Sequence, residues 1–234
     1  MIRRAIASAL LVGGGLLGTS VPPATAASAS DQSLAKAGVL VGSDFPADWT
    51  QSTRGQTSDK ALDAAAAKVV ACKPFLAFSK ANRKNPRAKS PNFDHDQSNV
   101  TNTASVYPSA GKAKAAIHTF GDPRLPDCLD ALFRAVFTQQ LKRSSNAAKI
   151  ASVDTSIAPV ADVRIGDEAV AYQGTVDVGL KDGTHESIGL GIVSVRVGKA
   201  VAGYSWTSDT DISATLQPAI VQSVGRLQTT QSTN

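Results

Sequence analysis

Cysteine is scarce in this sequence: 234 residues contain two, Cys72 and Cys128. There is no CxxC motif and no third thiol. This disfavours a cysteine-based zinc or redox site, because such sites need more thiols or closely spaced ones. An even pair in an exported chain is most simply one disulfide, so the sequence predicts a Cys72–Cys128 bond.

Catalytic and cofactor motifs are also missing. The sequence contains no HExxH, no P-loop and no GxGxxG after a strand. Residues 203–207 lack the second glycine of a GxSxG nucleophile elbow. The prediction is therefore a non-enzymatic protein without a cofactor. Two alternatives stay open, a secreted hydrolase with a dispersed active site and a cell-wall-associated structural protein.

Ligands for a metal ion are dense at one place only, at Asp94, His95 and Asp96. Neighbouring residues of an extended strand point to opposite faces, so these three cannot easily share one ion. His118 and His185 are possible further ligands, but the sequence gives no reason for them to converge on the group. We expect a solvated polar turn and no metal site.

The N-terminus has the pattern of a secretory signal peptide. Arg3 and Arg4 precede an apolar stretch rich in glycine, alanine and leucine, and Ala24 and Ala26 form a small-x-small cleavage site. No lipobox cysteine lies near that site. The sequence predicts a signal peptide over 1–26, a flexible segment over 27–33 and one domain over 34–230. It also predicts a secreted protein without a stable membrane span after cleavage.

The chain is mildly basic, with a formal net charge of +5. Five of its cations fall within 80–89, a stretch that contains no acid. This stretch lacks the interleaved aromatic residues of single-strand nucleic-acid binders, so we expect no nucleic-acid partner. A solvated loop is the preferred interpretation and a docking patch for the cell envelope is the alternative.

Hydrophobic periodicity gives the order of elements. Helices are predicted over 34–41, 58–73, 109–120, 127–142 and 215–227, with a second helical piece after Pro74. Strands are predicted over 100–107, 169–180, 188–197 and 201–206. Ser79 to Pro91 is expected to be a loop. This order indicates an α+β domain, an antiparallel sheet with helices packed mainly on one face.

The predicted strands between 169 and 207 carry the candidate binding residues Tyr172, Tyr204 and Trp206. Glycines at 174, 189, 191 and 203 would leave a hollow beside these rings. Such a hollow suits a small or amphipathic ligand, or a component of the envelope. The alternative is that the three aromatic residues fill the core under the C-terminal helix.

Five short motifs occur in a fixed order: DxPxxW at 44–49, VYxSAxxA at 106–113, PxC at 126–128, GDEA at 166–169 and VRxG at 195–198. In this respect the chain resembles exported sensor-like domains and lipoproteins of actinobacteria, including the extracellular sensor domain of a mycobacterial serine/threonine kinase. The resemblance implies a sheet with a ligand-binding cleft and no known catalysis. The chain departs from that sensor domain in having one cysteine pair where the sensor domain has two disulfides.

We expect the mature protein to begin at Ala27, because the residues before it form the small-x-small site that signal peptidases cut. N-terminal sequencing of the protein from culture supernatant measures this directly. Recovery of a membrane-bound protein that retains residues 1–26 would contradict the prediction.

Overall fold

The computed structural model describes residues 29–52, 59–142, 144 and 147–233 of the chain, and at 29 and 59–62 the backbone only. The predicted signal peptide and Ser58, the predicted cap of the second helix, lie outside these residues. No helix in the described part is both long enough and apolar enough to cross a bilayer.

In the described part of the chain, eight antiparallel strands form a single sheet. In chain order they are β1 (Thr50–Ser52), β2 (Arg87–Lys89), β3 (Asn92–His95), β4 (Ser98–Val106), β5 (Ile150–Val160), β6 (Glu168–Leu180), β7 (His185–Val197) and β8 (Ala200–Ser208). The order across the sheet is β1-β3-β4-β8-β7-β6-β5, and β2 pairs with the other end of β4. The two longest pairings, β5 with β6 and β6 with β7, are hairpins of consecutive strands.

Six α-helices accompany the sheet in the described residues. They are α1 (Ala29–Ala37), α2 (Asp59–Ala66), α3 (Lys73–Asn82), α4 (Ala110–Phe120), α5 (Leu125–Lys142) and α6 (Ser213–Ser232). Ser109 caps α4 by accepting a hydrogen bond from the backbone N–H of Lys112. The predicted α+β class with an antiparallel sheet is confirmed.

Side-chain alternation along β8 separates two cores. Ala200, Ala202 and Tyr204 are buried with residues of α1 and α6, whereas Val201 is buried with residues of α4. Helix α5 packs on the same face as α4, against β6 and β7. Helices α2 and α3 join α5 in a third cluster on that side. Four helices therefore lie on one face and two on the other.

Buried polar contacts fasten the chain around α1 to the rest of the fold. The Asn102 side chain accepts a hydrogen bond from the Leu40 N–H at 2.8 Å and donates one to the Gly38 carbonyl at 2.8 Å. Arg226 of α6 binds both carboxylate oxygens of Asp44, at 2.6 and 2.7 Å. A bidentate pair fixes geometry as well as charge, so α6 is held against this segment.

Several predicted boundaries are wrong. The helix predicted over 58–73 ends at Ala66, and Lys73 begins the next helix. Pro74 lies in the first turn of α3, where its missing N–H would be unpaired in any case. The predicted loop from Ser79 to Pro91 also contains the end of α3 and strand β2, because residues 87–89 pair with the C-terminal half of β4.

At the N-terminus, α1 begins at Ala29 rather than at the predicted Leu34. Its first residues therefore fall in the segment predicted to be flexible. The sequence analysis predicts no strand at four places where the sheet has one, namely β1, β2, β3 and β5. Three of these strands have only three or four residues, which is too short for alternation to be recognised.

The predicted disulfide is confirmed: Cys72 and Cys128 are bonded, with their Cα atoms 4.7 Å apart. Cys72 directly precedes α3 and Cys128 lies in the first turn of α5. Both residues are buried. The bond thus joins the outer helices α2 and α3 to the helix that packs on the sheet.

Replacing Cys128 by serine should lower the free energy of unfolding by about 4 kcal/mol, because the bond closes a loop across 56 positions and restricts the unfolded chain. Urea unfolding followed by circular dichroism measures the change. Reduced wild type is the control and should unfold with the variant. An unchanged midpoint, or two free thiols in the mass spectrum of the unreduced protein, would contradict the prediction.

Candidate functional site

A cleft lies between the sheet and the helices α4 and α5, and its sheet wall is polar. Two rows of residues cross the strands there. Gly203 of β8 pairs with Thr103 on one side and Ser194 on the other. In the next row, Ser205 pairs with Thr101 and Ile192. Gly203 brings no side chain, so a gap lies between the side chains of Thr103 and Ser194.

The opposite wall of this inner chamber is apolar. Helices α4 and α5 contribute Phe120, Leu129, Leu132 and Phe133 to the lining, and the volume is about 210 Å³. Tyr172 supports this wall from the sheet, because its hydroxyl donates a hydrogen bond to the Phe120 carbonyl oxygen. The chamber therefore places hydroxyl groups opposite aromatic and aliphatic side chains.

The hydroxyls of Thr103, Ser194 and Ser205 make no hydrogen bond to another described residue, although Ser194 is 2% exposed. A fourth hydroxyl close by, that of Thr207, is buried without a hydrogen-bond partner in the described part of the chain. Buried polar groups in folded proteins are nearly always paired with protein, water or ligand. The polar wall thus has unused hydrogen-bonding capacity.

A second, outer chamber of about 310 Å³ adjoins the first. Thr103, Phe120, Leu129 and Leu132 line both chambers. The outer walls come mainly from α3 and from the disulfide region, with the apolar side chains of Ala66, Cys72, Phe75, Leu76, Phe78 and Leu125. Three charged residues belong to its lining: Asp63, Arg83 and Arg87.

The three predicted ligand-binding residues do not all come together, because Tyr204 and Trp206 both belong to the lining of the inner chamber and Tyr172 does not. Tyr172 lies on the α5 side and is 4% exposed, whereas Tyr204 lies under α6 and is 0% exposed. The Tyr204 hydroxyl is hydrogen-bonded to Ser223 of α6. Tyr204 thus has the core position that the sequence analysis weighed as its alternative. The ligand-binding roles of all three residues stay predictions.

Trp206 also lines a groove on the α6 side of the sheet. Its indole ring lies over Gly191, where an added Cβ would come 2.0 Å from the ring. The groove has a volume of about 620 Å³, and Gly174 and Gly189 are also in its lining. The four glycines therefore line two spaces, Gly191 and Gly203 the inner chamber and Gly174 and Gly189 the groove.

The candidate metal ligands interact with residues close to them in the fold. Asp94 accepts hydrogen bonds from Ser52 and Asn99. The His95 Nε2 lies 3.0 Å from a carboxylate oxygen of Asp48, and Asp96 adopts a positive φ of 51°. In the part of the chain that the structure describes, no three residues of a metal-binding type are grouped to hold an ion.

Histidine is absent from the lining of both chambers of the cleft, as far as the described residues extend. His118 lies 3.6 Å from Glu168 and His95 lies beside Asp48, so each interacts with a carboxylate elsewhere. In its described lining, the cleft thus offers hydroxyl groups without a neighbouring imidazole.

Thr103, Ser194 and Ser205 are the site residues that sequence reasoning missed. A signal existed, since hydroxyl residues occupy alternate positions along β4, at Thr101, Thr103 and Ser105. Alternation of this kind resembles a solvent-exposed face. Only the packing of α4 and α5 turns that face into a cavity wall.

No protein-family profile matches the chain, and no curated protein matches it. Among solved structures, it is similar to the extracellular domain of PknH from Mycobacterium tuberculosis, with 13% sequence identity and a TM-score of 0.38. The match covers 61% of this chain and 64% of that chain, which is less than two thirds of its length. A likeness at this level assigns neither fold nor function, and membership of an actinobacterial sensor family stays a prediction.

The chain has three tyrosines, and burial raises the pKa of each phenol, that of Tyr204 to about 12. An unfolded tyrosine ionises near its ordinary pKa of about 10. Above that pH the unfolded state has lost phenol protons that the folded state retains. The contribution of these phenols to the free energy of unfolding is therefore complete below pH 10 and should be lost as the pH rises towards 12.

Ultraviolet titration of the folded protein should therefore show little phenolate until the chain unfolds, and the two changes should coincide. Tyr204→Phe should make the alkaline loss of stability less steep. A wild-type phenolate signal that appears near pH 10 without unfolding would contradict burial of these residues.

Proposed function

We propose that this protein is an exported, non-enzymatic binding module whose cleft takes an amphipathic ligand. The observation that carries the proposal is the position of the hydroxyls on the sheet wall. They make no hydrogen bond to another described residue, and they lie opposite a wall of apolar helical side chains. A ligand with an apolar body and a hydrogen-bonding group would satisfy both walls at once. Ligand pockets typically have this composition, mostly apolar with a few placed polar groups.

The free energy of binding favours a ligand that has both apolar and hydrogen-bonding groups. A purely apolar molecule would cover the hydroxyls of Thr103, Ser194 and Ser205 and remove their access to water, at a cost of about 1–3 kcal/mol for each group left unpaired. A strongly polar molecule would gain little from Phe120, Leu129 and Leu132. An amphipathic ligand pairs the hydroxyls and buries its apolar part.

Export is supported by the signal-peptide pattern and by the buried disulfide, since such bonds persist in oxidising compartments. The proposed place of action is the cell envelope or its surroundings. The non-enzymatic character is supported by the lack of histidine in the cleft lining of the described residues, because the hydroxyls there have no imidazole to activate them.

Gly203→Val should abolish binding while leaving the fold intact. A Cβ at position 203 would lie 3.9 Å from the Ser194 Oγ and 4.0 Å from the Thr103 carbonyl oxygen, which is ordinary contact. Valine suits a strand interior better than glycine does. The two methyl groups would then fill the gap between the hydroxyls. The neutral fluorescent probe N-phenyl-1-naphthylamine reports binding, and thermal unfolding reports stability.

Gly225→Ala is the matched control. This glycine lies in α6 with no atom within 4 Å of an added Cβ, so alanine there should raise helix stability without touching the cleft. The control should bind the probe as wild type does. Unchanged probe binding by a folded Gly203→Val protein, or no binding by wild type, would refute the cleft as the ligand site.

A second variant tests the groove on the other face. Gly189→Ala adds a methyl group to the groove beside Trp206, 3.3 Å from the Ser208 carbonyl oxygen. If this variant loses the probe and Gly203→Val retains it, the site is the groove and the proposal fails.

A further inference from the structure

The groove on the α6 side of the sheet has a floor on which an aromatic ring can lie. Gly191 of β7 pairs with Trp206 of β8 on one side and with Gln173 of β6 on the other. Paired residues of neighbouring strands carry their side chains on the same face of a sheet. Because Gly191 has no side chain, the indole of Trp206 extends over β7 in the direction of Gln173.

The indole ring lies flat on this floor. A Cβ added at Gly191 would come 2.0 Å from Cζ2 of the ring and 2.4 Å from each of its two ring neighbours, Cε2 and Cη2. Nearly equal distances to three consecutive atoms place this Cβ below the face of the ring rather than beside its edge. Trp206 is only partly buried and lines the groove, so its exposed surface belongs to the side turned away from the sheet.

Two glutamine side chains line the groove together with the indole. Gln173 lies in the same row as Trp206, and Gln217 lies in the second turn of α6. Both are exposed, and neither side-chain amide makes a hydrogen bond to another described residue. An amide has two N–H donors and an acceptor oxygen, so each glutamine can both donate to and accept from a hydroxyl group.

The charges of the groove are of both signs. Asp162 and Arg164 come from the segment between β5 and β6, and Asp211 lies just before α6. This mixture gives the groove no reason to select an anion. The volume of about 620 Å³ lies within the range of about 300–1,000 Å³ that is usual for small-molecule pockets. A flat aromatic ring, exposed amides and mixed charge together favour a neutral ligand with many hydroxyl groups.

We propose that this groove is a second binding site and that its ligand is a carbohydrate. A pyranose ring carries C–H groups on its faces and hydroxyl groups around its rim. One face would lie on the indole of Trp206, where apolar surface is buried, and the hydroxyls would exchange hydrogen bonds with Gln173 and Gln217. The site is additional to the proposed function, because the cleft lies on the opposite face of the sheet.

Trp206 can report the binding directly. The chain has two tryptophans, Trp49 and Trp206, so Trp49→Phe leaves a single fluorophore. Trp49 stacks on Phe45, and phenylalanine keeps an aromatic ring at that place. This variant is titrated with four neutral trisaccharides: cellotriose, maltotriose, mannotriose and N,N′,N″-triacetylchitotriose. At least one should cause a saturable change in the Trp206 emission, with a dissociation constant below about 1 mM.

The glutamine variants test the hydrogen bonds. Gln173→Ala and Gln217→Ala should each raise the dissociation constant of the bound trisaccharide about fivefold, because each removes a hydrogen bond to the sugar. Gln222→Ala is the matched control, since Gln222 is an exposed residue of α6 outside the lining of the groove. It should bind the sugar as wild type does. All three positions are exposed, so the variants should fold.

Two glycine variants decide which space holds the sugar, because Trp206 also belongs to the lining of the inner chamber. Gly189→Ala adds a methyl group to the groove and should weaken sugar binding. Gly203→Val fills the gap between the hydroxyls of the inner chamber and should leave sugar binding unchanged. The sugar should also bind without displacing N-phenyl-1-naphthylamine from the cleft.

An unchanged Trp206 emission with all four trisaccharides would overturn the inference and leave the proposed function standing. Displacement of N-phenyl-1-naphthylamine by the sugar, or loss of sugar binding in folded Gly203→Val, would also overturn it, because the sugar would then lie in the cleft. Equal dissociation constants for Gln173→Ala, Gln217→Ala and Gln222→Ala would do the same. Binding of a trisaccharide by a wild type that does not bind the probe would support the inference and remove the proposed function.

Discussion

The alternation of side chains along β8 is the constraint on which the rest of the fold depends. Successive residues of a strand point to opposite faces, so Tyr204 enters the core under α6 while Gly203 and Ser205 face α4 and α5. A shift of register by one residue would exchange the two sets. Long antiparallel pairing with β4 and β7 prevents that shift. The helices on each face then pack against the side chains that β8 points towards that face.

The two faces are packed differently. On the α6 face, aromatic and aliphatic side chains form the main core, the Asp44–Arg226 pair holds α6 in place, and a groove remains beside Trp206. On the α5 face, Val201 and Leu190 are buried among helical residues, but between them lies a band of hydroxyls with Gly203 at its centre. Packing this band against leucine and phenylalanine leaves polar atoms without partners and a space beside them.

The outer helices make that space a cleft with two chambers. The disulfide holds α3 beside α5, and the segment that follows α3 places Arg83 and Arg87 in the lining of the outer chamber. The sequence analysis recognised each component, namely the cysteine pair, the apolar helix before the basic stretch and the basic stretch itself. It treated them separately, because nothing in the order of residues shows that β2 pairs with β4 and brings Arg87 to the chamber that α3 lines.

The sequence by itself determined the α+β class, the strands β4, β6, β7 and β8, the helices α4, α5 and α6 and the disulfide. These features depend on local periodicity, turn residues and the pairing of two cysteines, all of which can be read within short windows. The tertiary structure alone decided which side of the sheet each aromatic residue joined, which hydroxyls line a cavity and where the cations were placed. Those outcomes depend on contacts between residues far apart in the chain, such as Thr103 with Gly203, and local patterns carry no record of them.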